Sequence, residues 1–154
     1  MVTQPGGVAG GIDELYQDIL MDHYKNPRHH QLLDGPDLKS EGFNPFCGDR
    51  VVLTVKLDSS GRISGVGFNG QGCAISQASA SMMTEVLMGQ TLEEARAMVG
   101  RVKAMLQGKK LSDEEKDALK DLVILEGVKR FPVRIKCALL PWSTLQDAMA
   151  EHKG

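Results

Sequence analysis

The stretch Asn44-Pro45-Phe46-Cys47-Gly48-Asp49-Arg50, running directly into Val51-Val52-Leu53-Thr54-Val55-Lys56-Leu57, decides how this chain folds. Pro45 restricts Asn44 to extended backbone, and Gly48 permits a sharp bend between the Cys47 thiol and the Asp49 carboxylate. The alternation from Val51 to Leu57 predicts a half-buried strand, so the loop is anchored on a rigid base. Asp58-Ser59-Ser60-Gly61 is a turn signal, and Arg62 to Phe68 returns as the second arm of a hairpin. Upstream, Gly35-Pro36 and Gly42 mark residues 31–43 as a loop carrying a short edge strand near Leu38 to Phe43.

Helical spacing surrounds this hairpin. Ile12, Leu15, Tyr16, Ile19, Leu20 and His23 recur at intervals of three and four, predicting a helix from Asp13 that Pro27 stops. His23 lies on its apolar stripe, where a packed, hydrogen-bonded imidazole is expected, and Arg28-His29-His30 is expected to be solvated. Ala74 to Met88 is rich in Ala, Ser and Met, with Ile75, Ala78, Met82 and Val86 on one face. Its Met82, Met83 and Met88 read as core filling. Gly89 ends that helix. Thr91 with Glu94 and Ser112 with Glu115 are capping boxes. They open a helix striped by Leu92, Ala95, Val99, Val102 and Leu106, and then a short charged, solvated one over Asp113 to Lys120. Leu122 to Gly127 reads as a short apolar return, and Pro132 breaks the chain. The last helix carries Ala138, Trp142, Leu145 and Met149 on one face, with Pro141 within its first turn.

A chain of 154 residues with 42% hydrophobic and 25% charged content is ordinary for one soluble domain. The net charge of −2 excludes the basic excess of a nucleic-acid binder, and no apolar run reaches the roughly 20 residues needed to cross a bilayer. Residues 1–11 lack the features of a secretory signal and read as a flexible tail, leaving residues 12–154 as a single domain. Three cysteines, an odd count, disfavour a disulfide framework and point to a reducing cytoplasm.

All three cysteines stand at boundaries of regular elements flanked by Gly or Pro. Cys73 follows Gly70-Gln71-Gly72 where a strand pattern gives way to a helical one, and Cys137 ends Phe131-Pro132-Val133-Arg134-Ile135-Lys136. With Asp49, the three thiolates would complete a tetrahedral zinc shell of three sulfurs and one oxygen, so the set reads as a metal or reactive-sulfur site. Such a shell leaves about two surplus negative charges, for which Arg50, Arg134 and Lys136 are the neighbouring cations in sequence. A carboxylate among thiolates is unusual for a structural zinc and suggests a site that exchanges ligands. No Walker pattern, Gly-x-Gly-x-x-Gly or nucleophile elbow is present.

Four ordered motifs then resemble a known family: Asp22-His23-Tyr24-Lys25-Asn26-Pro27-Arg28; Asn44-Pro45-Phe46-Cys47-Gly48-Asp49; Gly72-Cys73-Ala74-Ile75-Ser76 with Ala78-Ser79-Ala80-Ser81-Met82-Met83; and Arg134-Ile135-Lys136-Cys137. They are similar to the IscU-like superfamily of iron–sulfur assembly proteins, in its SufU branch, from about Leu15 to Met149. Three features favour that branch over IscU scaffolds. Lys136 stands where IscU has a histidine before the third cysteine, the charged stretch from about Gly108 to Gly127 matches an insertion, and only Pro132 replaces a double-proline motif.

The resemblance implies an α+β domain of the IscU/NifU N-terminal type. A small, mainly antiparallel sheet is packed on one face by helices, with the metal centre at one end of the sheet. It implies a zinc-dependent sulfurtransferase acting with a pyridoxal-phosphate cysteine desulfurase of the SufS type and handing sulfur to downstream iron–sulfur assembly proteins. By that resemblance Cys47, Asp49, Cys73 and Cys137 bind one Zn²⁺ per chain and Cys47 is the catalytic persulfide acceptor. Arg134 and Lys136, beside the third cysteine, are expected to be supporting or partner-binding residues. The alternative within the superfamily is a scaffold on which the same ligands hold a transient Fe–S cluster.

Overall fold

The computed structural model describes residues 14–152, so the expected tail at residues 1–11 and the start of the first helix at Asp13 lie outside the described residues. The described chain runs α1 (Glu14–Lys25), β1 (Leu38–Asn44), β2 (Asp49–Leu57), β3 (Ile63–Gln71), α2 (Ala74–Leu87), α3 (Leu92–Leu106), α4 (Asp113–Leu119), a 3₁₀ segment (Lys120–Arg130) and α5 (Pro132–Glu151). The α+β class is therefore as expected.

The three strands form one antiparallel sheet in the order β1-β2-β3. Asn44 pairs with Asp49 across the β1–β2 turn, and Arg50 pairs with Gln71. That register brings the start of β2 and the end of β3 to the same end of the sheet. The turn between β2 and β3 is held by Asp58, whose Oδ1 accepts from the N–H groups of Ser60 and Arg62 at 2.9 and 3.0 Å.

Helices cover one face, with α5 on β1 and β2 and α2 on β3. At Gly42 the approach of α5 is so close that a Cβ would collide with the Thr144 hydroxyl and lie 3.2 Å from Leu140 Cδ1. The other face is crossed by the loop after α1. Leu33 N–H donates to Thr54 Oγ1 at 3.1 Å, and a Cβ on Gly67 would strike the Gln31 carbonyl. Val52 and Thr54 are buried as well as Val51, Leu53 and Val55, so from Val51 to Val55 β2 is covered on both faces, where its alternation suggested one exposed face.

Helix α2 is the centre of the molecule. It is buried on every side, from Ser76 to Thr84 and again at Val86 and Leu87, where the sequence indicated one apolar face. Its Ala and Ser residues allow α1, α5 and β3 to approach closely. Buried hydroxyls here are satisfied: Trp142 Nε1 donates to Ser79 Oγ at 3.2 Å, and Ser79 Oγ donates to the Ala138 carbonyl at 2.7 Å. Met82 and Met83 are core residues, but Met88 is 38% exposed, because the helix ends at Leu87 and Met88 is its C-cap.

Both predicted capping boxes form, at Thr91/Glu94 and Ser112/Glu115. Three expectations need correction. Leu122 to Gly127 is not a return but part of the 3₁₀ segment, which buries Leu122, Ile124, Leu125 and Val128. Burying each such side chain contributes about 1.5–3 kcal/mol, enough to bind this stretch to the core. The last helix starts at Pro132, not after Cys137, because proline is well suited to the first helical position. Pro141 accordingly lies in the helix interior, where it cannot donate the usual bond to the Cys137 carbonyl.

Candidate metal centre

Cys47, Asp49, Cys73 and Cys137 converge at the end of the sheet where β1 turns into β2 and β3 meets α2. Cys47 lies in the turn, Asp49 is the first residue of β2, Cys73 is the N-cap of α2, and Cys137 lies in the second turn of α5. Ligand atoms of Cys47, Asp49 and Cys137 lie within 4.8 Å of one another. The Cys47 and Cys137 sulfurs are 3.3 Å apart, and both are free thiols. Cys73 stands outside that three-atom group, but its Sγ is 3.9 Å from Asp49 Oδ2.

Backbone geometry makes this convergence. Gly48 adopts a left-handed φ of 69°, which reverses the chain between Cys47 and Asp49. Asn44 Oδ1 accepts the Phe46 N–H at 3.2 Å and shapes the turn from within. Asp49 is fully buried, and its Oδ1 accepts the Cys73 N–H at 2.8 Å, fastening β2 to the start of α2. Gly72, at φ 149°, leaves the room this bond requires.

Two sulfurs and a carboxylate oxygen within reach of one another, with the Cys73 sulfur beside that carboxylate and its N–H on the other carboxylate oxygen, are donors of the kind zinc takes. Burial raises the Cys137 thiol well above the ordinary cysteine range, and neighbouring Cys47, Asp49 and Cys73 add to the rise. A buried group with such neighbours stays a neutral thiol unless a cation compensates its charge, as a bound metal does.

The three cations named from sequence separate. Arg134 borders the groove onto which Cys47 opens; Cys73, when ionised, and a hydrogen bond with Cys137 hold its guanidinium even more firmly protonated than usual. Lys136 Nζ instead lies 4.2 Å from the centroid of the Phe46 ring. Arg50 pairs with Glu41 on β1 and serves the sheet edge.

Sequence reasoning treated Asn44 only as the residue before proline. Its buried Nδ2 donates to Asp49 Oδ2 at 3.4 Å and to Cys137 Sγ at 3.7 Å, bridging two candidate ligands. A polar residue ahead of the Cys-x-Asp turn was the available signal. Histidines 29 and 30 are engaged as well as exposed: His29 Nδ1 is 2.8 Å from Thr84 Oγ1, and the His30 ring is 4.9 Å from that of Phe68.

Outside the thiols the surface is apolar and basic. Phe46 is 74% exposed and Val133 61%, with Phe131 at 40%. A groove of about 460 Å³ is lined by Cys47, Arg130, Phe131, Pro132, Val133 and Arg134. Cys47 is half-buried and opens on this groove, whereas Cys137 is sealed beneath it.

An antiparallel three-stranded sheet backed by helices, with a Cys/Asp cluster at one sheet end, defines the class. The chain belongs to the family of the NifU-like N terminal domain, which matches residues 15–138. Among its relatives is the zinc-dependent sulfurtransferase SufU of Bacillus subtilis (strain 168), 43% identical over 143 residues, which span 93% of this chain and 95% of that protein. The iron–sulfur cluster assembly scaffold protein IscU of Streptococcus pyogenes serotype M1 is 42% identical over 90% of this chain and 84% of its own length. A crystal structure from Fervidobacterium islandicum AW-1, named as a candidate SUF-system assembly scaffold, superposes with a TM-score of 0.79 at 37% identity. It covers 86% of this chain and 94% of that one. Among the described residues, no helix is long and apolar enough to cross a membrane.

Proposed function

We propose that this chain is a zinc-dependent sulfur acceptor in iron–sulfur cluster assembly, taking sulfane sulfur on Cys47 from a cytoplasmic, pyridoxal-phosphate cysteine desulfurase of the SufS type. The observation that carries the reading is the unequal placement of the three thiols. Cys47 lies in the turn bent at Gly48 and opens on the groove, while Cys73 caps the start of one helix and Cys137 lies within another. Moving either of those sulfurs displaces a packed element; moving Cys47 displaces a turn.

Cys47, Asp49, Cys73 and Cys137 would hold one Zn²⁺. Bound there, the ion keeps the thiols deprotonated and buried charge compensated. Transfer itself is thiol–persulfide exchange. The Cys47 thiolate attacks the terminal sulfur of the donor's persulfide, the new S–S bond forms on Cys47, and the donor's S–S bond breaks. The donor cysteine leaves as a thiolate, so no net oxidation occurs. Arg134, in the lining of the same groove as Cys47, would offset the negative charge present during this exchange. Phe46, Phe131 and Val133 supply an exposed apolar rim against which a protein donor excludes water. Sulfur then passes to downstream assembly proteins.

The test is metal analysis of the purified chain together with desulfurase turnover with and without it. About one zinc per chain and stimulated turnover are expected. The relatives named as scaffolds favour a second reading, in which the same ligands hold a transient Fe–S cluster. Intact cluster transfer to an apo-protein, without stimulation of the desulfurase, would establish that reading instead.

A further inference from the structure

A second group of metal-ligating atoms lies away from the thiols. His23 on α1, Glu85 on α2 and Asp121 in the 3₁₀ segment bring one ring nitrogen and two carboxylate oxygens within 4.8 Å of one another. His23 Nε2 is 3.1 Å from Asp121 Oδ2 and 3.7 Å from Glu85 Oε1. The imidazole is 1% exposed, and its other nitrogen, Nδ1, is 2.8 Å from Ser81 Oγ. Ser81 Oγ is itself fixed by accepting the Arg28 N–H at 2.8 Å. A ring anchored through one nitrogen presents the other in a set direction, as metal-binding histidines do.

We infer that His23, Glu85 and Asp121 form a second divalent-metal site, of the class that takes Mn²⁺ or Fe²⁺. One imidazole nitrogen and two carboxylate oxygens, without a thiolate, select harder ions than the Cys/Asp centre does. The two carboxylates are half exposed and border a cavity of about 320 Å³ shared with His29, which gives room for water to complete the coordination. The site is remote from the thiols. Glu85 follows Cys73 by twelve residues along α2, about 18 Å at helical rise.

Charge also favours a cation. Glu85 and Asp121 place two negative charges around a buried ring. Arg28 Nε reaches only 4.0 Å from Glu85 Oε2, and its Nη2 is committed to Asp22 at 2.6 Å. Lys120 also borders the cavity; an ion competes with Arg28 for Glu85 and takes the place of the hydrogen bond between His23 Nε2 and Asp121 Oδ2. Its three ligands come from three elements, so occupancy ties α1 and the 3₁₀ segment to the central helix.

The experiment uses the full chain with its thiol centre loaded with zinc, titrated with Mn²⁺ and followed by electron paramagnetic resonance of the free ion. One saturable Mn²⁺ per chain is expected, retained in Cys47→Ala. Asp121→Asn and Glu85→Gln change half-exposed side chains and leave the core intact. Each removes a ligand and should weaken Mn²⁺ binding by more than the roughly 10–100-fold that loss of an orienting partner costs, with zinc content unchanged. A melting temperature raised by Mn²⁺ in the unsubstituted chain, and not in Asp121→Asn, gives an independent readout. Absence of saturable uptake, uptake that both carboxylate variants retain, or uptake lost in Cys47→Ala would overturn the assignment.

Discussion

Gly72 and Asp49 are in contact across the sheet end: a Cβ at Gly72 would collide with Asp49 Oδ1 and come 2.9 Å from Asp49 Cα. The buried carboxylate therefore keeps its position only because residue 72 has no side chain. Gly72 also adopts a backbone φ of 149°, which L side chains rarely take.

Gly72→Ala should accordingly cost about 1–3 kcal/mol of stability through backbone strain alone. It should also lower zinc affinity by displacing Asp49. Chemical denaturation and competition with a chromophoric chelator measure the two effects. Unchanged zinc affinity would show that Asp49 does not need this position.

Asn44→Ala removes the amide that bridges Asp49 and Cys137. Loss of such an orienting group typically weakens a metal site about 10–100-fold. The same chelator competition should show a fall of that size, with helix content by circular dichroism unaltered.

Arg134→Gln removes a fixed positive charge beside the thiols. A shell of three thiolates and one carboxylate carries surplus negative charge that a neighbouring cation offsets, so zinc affinity should fall. Chelator competition checks this, and affinity that stays unchanged or rises would contradict it.

Cys73→Ser and Cys137→Ser should each reduce zinc content and lower the melting temperature, since metal binding free energy is part of folding free energy. Full zinc occupancy of both variants under a competing chelator would remove them from the ligand set.

Much of this was legible in the chain because local signals agreed with the tertiary arrangement. The hairpin, the Cys73 junction and both capping boxes follow from turn residues and caps that act over a few positions. The start of α5 was hidden because Pro132 and Pro141 both resemble first-turn prolines, and only packing reveals that the helix continues through the second. The burial of α2 on all sides, the contacts of Arg50 and Lys136, and the bridging amide of Asn44 depend on elements far apart in sequence. Periodicity cannot report them. His23 was correctly expected to be packed and hydrogen-bonded, but its meeting with Glu85 and Asp121 required the 3₁₀ segment to be in place.

The central claim is that Cys47 receives the sulfur. The direct measurement is mass spectrometry of the alkylated chain after incubation with a cysteine desulfurase and cysteine, compared with Cys47→Ala. A persulfide on Cys47 is predicted, with both persulfide formation and desulfurase stimulation lost in Cys47→Ala while the fold and much of the zinc remain. A persulfide on Cys73 or Cys137 with Cys47 unmodified would contradict the account.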